Sequence, residues 1–363
     1  MKKNAKPKII VIVGPNASGK TSFSIKIAKK VNGEIISADS RQVYKGLNIG
    51  SGKVTKKEMA GITHHCINIA DPKKVFSAMD FKNCAERAIT DIISRGKTPI
   101  IVGGTGFYID AALGRMKLGG VPPNPKLRRK LSKYSTAKLL ETLKKLDSER
   151  AKTVEQKNPV RLIRAIEIAS ANHTSSRMHG YFSAKKFLVL APSRSQGILE
   201  DHASPRKGES NVPLNGFSAV FGTVPERSKG QKRAEPSELR AGGARMSEEG
   251  ALVSPKKIVW LGIKRPPEVL KKRIHARLLK RLPGIIKEAK KLHNNGISWE
   301  RLFELGLEYR YASLYLRRKL TKEEMLSRLE TAIWHYAKRQ MTWFKKNKEI
   351  KWIQKEKEAF GLL

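Results

Sequence analysis

Acidic residues are what this sequence is short of: 32 Asp and Glu stand against 74 Lys and Arg, a formal net charge of +42. A field of that sign favours a polyanion such as nucleic acid, or an anionic membrane surface. It does not establish RNA binding alone, since the small cytosolic proteins of some lineages are simply basic. Cysteine is scarce too. Cys66 and Cys84 are the only two and form no CxxC pair. That excludes a disulfide framework and a cysteine-rich zinc module, and suits a reducing cytoplasm. The run His64-His65-Cys66 lacks further partners at zinc-ligand spacing. Long apolar runs are also missing. The early run Ile9 to Val13 is far too short to span a bilayer, and no signal-peptide pattern follows it. The expectation is a cytoplasmic chain with no membrane association.

What is present describes an α/β protein with helical additions. Hydrophobic residues make up 39% and charged residues 29% of 363, enough for a sizeable core and more than one lobe. Residues 8–13 (KIIVIV) read as a buried parallel strand, followed by helical spacing through Phe23, Ile27, Ala28 and Val31. Glu34 to Ser37 reads as a second strand, Phe81 to Ser94 as a helix and Thr98 to Val102 as a third strand. Ile258 to Ile263 returns as another. Strand alternating with helix implies a parallel sheet with ligands at the carboxyl ends of its strands. The predicted fold class is therefore a P-loop NTPase-like parallel sheet flanked by helices, with a helical insertion domain and a helical C-terminal region. Its parts are a catalytic core over 1–121, a helical insertion over 122–175 and a connection over 176–192. Then come a segment over 193–255, a return to the core with C-terminal helices over 256–345, and a basic tail over 346–363 read as a solvated face. The 193–255 segment is rich in Ser, Gly, Pro, Arg and Glu, with too little apolar content to offset backbone ordering. Its composition predicts disorder, or an arm that orders on RNA.

The chemistry-bearing motif is Gly14-Pro15-Asn16-Ala17-Ser18-Gly19-Lys20-Thr21, a full GxxxxGK[ST] between a buried strand and a helix. Glycines let backbone N–H groups turn inward around phosphate oxygens, Lys20 neutralises them, and the Thr21 hydroxyl can ligate Mg²⁺. The motif specifies phosphate, not which phosphate compound; a nucleoside triphosphate is the usual one. Two features depart from that. No Walker-B-type Asp follows the Thr98–Val102 strand, where Gly103-Gly104-Thr105-Gly106 stands instead. Asp39, at the end of the neighbouring strand, faces the crevice and can accept a proton from a nucleophile, or else order Mg²⁺ or cap a turn.

A family resemblance then emerges. Asp39-Ser40-Arg41-Gln42-Val43-Tyr44, with Gly46 to Ser51 and Lys53, resembles the DSxQxY…GLDIGTxK stretch of tRNA dimethylallyltransferases, the IPP transferase family. GPNASGKT, the pair His64-His65 before Ser77-Ala78-Met79-Asp80-Phe81, GGTGFY at 103–108, Arg164-Ala165-Ile166-Glu167 and AKRQMTW at 337–343 are similar to further motifs of the family, in the same order. The likeness covers roughly 8–175 and 256–345. Asn16, Ser51, the run Asn158 to Arg161 and Gly306 to Arg310 depart from the usual residues, and the insertion is longer than the family's short loop.

The resemblance implies a prenyl transfer. The phosphate loop would hold the diphosphate of dimethylallyl diphosphate, and Asp39 would take a proton from adenine N6 (position 37) in a tRNA anticodon stem-loop. Thr105 would orient the reactants, and Arg277 would stabilise the departing diphosphate, with Arg273, one turn earlier, as its rival. Residues Asp39, Ser40, Arg41, Gln42, Arg128, Val160, Arg161, Leu162, Ile163 and Arg164 match tRNA-contacting stretches. One polynucleotide per chain needs no partner subunit, so a monomer is expected. Trp334, Tyr336, Trp343 and Phe344 are either core or base-stacking platforms. The alternatives are a P-loop kinase for a nucleoside or other small metabolite, which leaves the charge and the helical lobes unexplained, and a non-enzymatic RNA-binding protein.

Overall fold

The computed structural model describes residues 8–116, 118, 120–172, 257–354 and 356–363. The predicted 176–192 connection and 193–255 segment lie outside the described residues. The chain forms two compact units, one of residues 1–119 with 248–363, the other of residues 120–247.

Six parallel strands make the sheet of the larger unit: β1 (Lys8–Val13), β2 (Gly33–Ala38), β3 (His64–His65), β4 (Thr98–Gly103), β5 (Lys257–Ile263) and β6 (Lys351–Ile353), in the order β3-β2-β4-β1-β5-β6. β1 lies between β4 and β5, covered on both faces, which fits its side chains from Ile9 to Val13 being all buried and all β-branched. Helices α1 (Lys20–Lys30), α2 (Lys56–Met59), α3 (Ala78–Ser94) and α4 (Gly106–Ala112) connect the early strands. Phe23, Ile27 and Ala28 of α1 pack on Ile10, Ile12, Ile35 and Ile100; Phe81, Ala85 and Ile89 of α3 pack with Ile9, Val11 and Ile101 on the other face. The Ser77…Asp80 element is a capping box. Ser77 Oγ accepts from the Asp80 N–H, and the Asp80 carboxylate accepts from the Ser77 N–H.

Two readings are corrected. Cys66, just past β3, and Cys84, in α3, form a disulfide, their Cα atoms 6.1 Å apart. This is one staple rather than a framework, but it removes the cysteines as evidence for a reducing compartment. Sequence spacing could not show it, because the sheet, not the chain, brings β3 beside α3. The tail is not simply a solvated face either. Lys351–Ile353 adds β6 to the sheet edge, and Ile350, Ile353 and Ala359 are buried.

The C-terminal part contributes α9 (Pro267–Asn294), α10 (Trp299–Leu305), α11 (Leu307–Leu316), α12 (Lys322–Phe344) and, beyond β6, α13 (Glu356–Phe360). Leu270, Ile274, Leu278, Leu282 and Ile285, at helical spacing on α9, meet Met325, Leu329, Ile333 and Ala337 of α12 in a separate apolar cluster. The smaller unit holds α5 (Pro125–Leu131), α6 (Thr136–Leu146), α7 (Ser148–Thr153) and α8 (helical over 159–172) around Leu131, Leu139, Leu143, Leu162 and Ile166. None of the described helices is long and apolar enough to cross a membrane.

Candidate active site

β1 ends in a loop whose backbone only certain residues tolerate. Gly14 has φ 154°, and a Cβ there would stand 3.0 Å from the Ile263 carbonyl. Gly19, at φ 101°, is the N-cap of α1 and supplies no side-chain cap. The N-cap therefore leaves the first N–H groups of α1 without a side-chain cap of its own, and the helix dipole favours an anion there. Lys20 Nζ donates to the Pro15 carbonyl at 2.8 Å, curled across the loop. Its enclosure pushes the ammonium down to about 8; Asp39 opposes that shift and Arg277 adds to it.

The ends of β4 and β2 carry the rest; β4 lies between β1 and β2, so the strand that Asp39 ends is not the immediate neighbour of β1 that the sequence suggested. Asp39 follows β2, and its Oδ1 accepts from the N–H groups of Arg41 (2.8 Å) and Gln42 (3.2 Å). This fixes the carboxylate and leaves Oδ2 without a hydrogen bond among the described residues. Thr105 follows β4; its Oγ1 accepts from the Ser40 N–H at 3.2 Å, and its own N–H donates to the Ala38 carbonyl. A side chain at Gly103 would collide with the Ala38 backbone, so the close approach of β2 and β4 needs glycine there. A cavity of about 570 Å³ brings together Asn16 to Thr21, Asp39, Gln42, Ser51, Gly52, Gly103, Gly104, Arg273 and Arg277. Thr105 is not among the lining residues but bonds the Ser40 N–H next to Asp39, and Thr21 and Asp39 offer a hydroxyl and a carboxylate, the hard oxygen donors that Mg²⁺ takes. Both rival arginines of α9 line the cavity. Arg273 approaches Gly19, while Arg277 donates to the Gly52 carbonyl at 3.5 Å. Burial and the neighbouring Arg281 lower the Arg277 pKa, against the pull of Glu308 and Asp39.

The far wall, Asn48 to Lys53, is held from α9 and α11. The Glu288 carboxylate accepts from the N–H groups of Asn48 (2.9 Å), Ile49 (2.8 Å) and Gly50 (2.9 Å) and from the Tyr309 hydroxyl (2.7 Å). Tyr309 Oη in turn accepts from the Ser51 N–H at 3.2 Å, and Arg281 donates to the Ile49 and Gly50 carbonyls. Gly50 has no room for a side chain against the Tyr309 ring. Sequence reasoning found none of these three residues, because helical spacing marks the buried face of α9 and says nothing of which loop its polar face meets.

Gln340 of α12 was also missed as a site residue, although it stands inside the AKRQMTW run. It is 5% exposed; its Oε1 accepts from the Asn16 N–H at 2.8 Å and its Nε2 donates to the Gly104 carbonyl at 2.9 Å. Tyr336 is half-buried with its phenol pushed up to about 12, by burial first and then by the charge of Asp39; a side-chain hydrogen bond with Thr105 opposes this. The other aromatics are core or near it. Phe344 is buried, and the Trp343 indole donates to Asp110 at 2.9 Å. The histidine pair divides: His64 lines the cavity, and His65 serves the fold. His65 Nε2 bonds Glu34, whose buried carboxylate also takes Arg95 and Lys97 at 2.6–2.7 Å. Glu34, His65 and Asp91 are the described residues placed as a metal cluster would be, but these cations already occupy the Glu34 oxygens.

In the smaller unit, Arg128 donates to both oxygens of buried Glu167 at 2.7 Å and stays 44% exposed. Arg164 joins at 3.1 Å and also donates to the Val121 carbonyl. Burial alone would raise the Glu167 pKa, but Arg128 and the Asn124 N–H bring it below the ordinary value. Nε and Nη2 of Arg128 are held by Glu167. Val160 is 74% exposed, whereas Leu162 is fully buried and offers a tRNA no side chain.

A parallel sheet with a glycine-rich loop after its central strand β1, a carboxylate at the end of β2 two strands away and two arginines opposite defines an enzyme acting on a phosphate compound. Relatives narrow the class. Residues 42–206 and 226–347 match the family described as IPP transferase. The chain is 35% identical over 93% of its length to tRNA dimethylallyltransferase 1 of Geotalea uraniireducens, covering 88% of that protein. It is 33% identical over 94% of its length to the tRNA dimethylallyltransferase of Halalkalibacterium halodurans, again covering 88%. The crystal structure of the full-length tRNA isopentenylpyrophosphate transferase of Bacillus halodurans is similar with TM-score 0.57 at 29% identity, over 96% of this chain and 90% of that one. A eukaryotic dimethylallyltransferase acting on tRNA shares the fold with TM-score 0.64 at 23% identity, over 96% and 74% of the two chains. The chain belongs to the IPP transferase family.

Proposed function

We propose that this protein transfers a dimethylallyl group from dimethylallyl diphosphate to N6 of adenine 37 in a tRNA anticodon loop, releasing diphosphate. The observation that carries it is the pairing, in one cavity, of a phosphate loop with a carboxylate fixed through a single oxygen. The phosphate loop, Lys20 and an arginine of α9 hold the diphosphate. The N6 lone pair attacks the allylic carbon as the carbon–oxygen bond to the diphosphate breaks, and the N6 proton passes to Oδ2 of Asp39. Cations already in place meet the charge that the leaving group gains. Thr21 would hold Mg²⁺, which when bound neutralises diphosphate charge. Gln42, Arg41 and Ser40, next to Asp39, and Arg128 with Val160, Arg161, Ile163 and Arg164 of the smaller unit would contact the tRNA. A loop substrate fits, since the adenine must be unstacked to reach the cavity. The protein would work as a monomer in the cytoplasm, where its tRNA is.

The kinase reading accounts for the phosphate loop but gives Asp39, two cavity arginines and a +42 chain no joint purpose. The protein incubated with unmodified tRNA and labelled dimethylallyl diphosphate should yield N6-prenylated adenosine by nucleoside mass analysis. Transfer of a γ-phosphate from ATP to a nucleoside, with no prenyl incorporation, would establish the kinase instead.

A further inference from the structure

Gln340 joins two loops that the chain itself leaves unconnected. Asn16 belongs to the loop that follows β1 and Gly104 to the loop that follows β4. A primary amide accepts through one atom and donates through another, and Gln340 does both, at 2.8 and 2.9 Å, from a position 5% exposed. The fit is close. A Cβ on Gly104 would lie 2.1 Å from Nε2 of Gln340, so the loop at Gly104 has been brought to hydrogen-bond distance of the amide with no room between. Each loop ends on chemistry. Three residues past Asn16 begin the Gly19-Lys20-Thr21 amides that face the anion. One residue past Gly104 stands Thr105, whose hydroxyl takes the N–H of Ser40, the residue after Asp39. The Asn16 N–H is spent on Gln340 and so is no phosphate ligand.

We propose that Gln340 is a positioning residue that sets the distance between the leaving-group cradle and the carboxylate that takes the N6 proton. This rests on the prenyl-transfer reading above. In-line displacement needs the allylic carbon, held by its diphosphate, and the adenine nitrogen, placed against Asp39, at one fixed separation. Misplacement by about 1 Å lowers such a rate by about 10². A residue that only satisfied buried backbone groups would change stability and leave the chemical step as it was.

Gln340→Met keeps the volume and removes both hydrogen bonds; Gln340→Glu keeps the acceptor for Asn16 and loses the donor to Gly104. Gly104→Ala disturbs the same junction from the opposite side. The rate of single-turnover prenylation at saturating tRNA and dimethylallyl diphosphate is measured per active site, together with the affinity for inorganic diphosphate. All three variants are expected to lose about 10²-fold in rate and to bind diphosphate within about threefold of the unaltered protein, since no phosphate ligand is removed. A rate within threefold of the unaltered protein in Gln340→Met and Gly104→Ala would overturn the proposal. So would a fall in diphosphate affinity matching the fall in rate, which would assign Gln340 to the phosphate cradle alone. Absence of transfer by the unaltered protein would instead overturn the prenyl-transfer reading itself.

Discussion

Lys20 curls onto Pro15 and carries an ammonium lowered to about 8. Below that pH it is charged and attracts diphosphate; above it the charge is lost, and with it part of the affinity. Titration calorimetry of inorganic diphosphate should therefore show weaker binding as pH rises through about 8, beyond the change due to ionisation of diphosphate itself. Lys20→Ala should bind less tightly throughout, lack that extra loss and lose kcat/KM in proportion, because the charge acts in ground and transition state alike. An unchanged affinity in the variant would remove Lys20 from the phosphate site. Lys20, Thr21, Asp39 and Thr105 were legible as chemistry because motif and strand end coincide in the chain. Gln340 and Tyr336 were not, since their partners lie more than two hundred residues away.

Among the elements, α9 does more than pack against α12. Its Glu288 gathers three consecutive N–H groups of the 48–50 loop and the Tyr309 hydroxyl, which saturates both oxygens. In Glu288→Gln the amide nitrogen must replace one oxygen, so whichever way it turns at least one loop N–H loses its acceptor. The expected loss is about 2 kcal/mol in unfolding free energy by urea denaturation, the ordinary worth of a hydrogen bond to a charged group. A change under about 0.5 kcal/mol, within the range of ordinary surface substitutions, would mean that the loop holds itself. Strands β1, β2, β4 and β5 were readable from β-branched runs, and the SxxDF run proved to be a capping box. β6 was not readable. Lys351, Trp352 and Ile353 are three residues among lysines and lack a repeating pattern. The disulfide joins residues that only the sheet brings together.

Over the whole molecule the excess of 42 positive charges is the largest single feature of the sequence. If it serves tRNA, log affinity should fall linearly with log salt, with a slope steeper than about −3, as several Lys and Arg release counterions from phosphate. A flat dependence from low to moderate salt, measured by filter binding, would leave the charge without that purpose. The smaller unit is a candidate for part of that binding through the exposed part of Arg128.

The account turns on Asp39, since the exocyclic amine of adenine is a poor nucleophile until its proton leaves. Asp39→Asn keeps the shape and the oxygen that accepts from Arg41 and Gln42, so both tRNA and dimethylallyl diphosphate should bind nearly as before. Single-turnover prenylation should fall by about 10²–10⁴, the worth of a positioned general base, and added Mg²⁺ should not restore it. Full activity of the Asn variant at ordinary Mg²⁺, or recovery when Mg²⁺ is raised, would contradict the assignment.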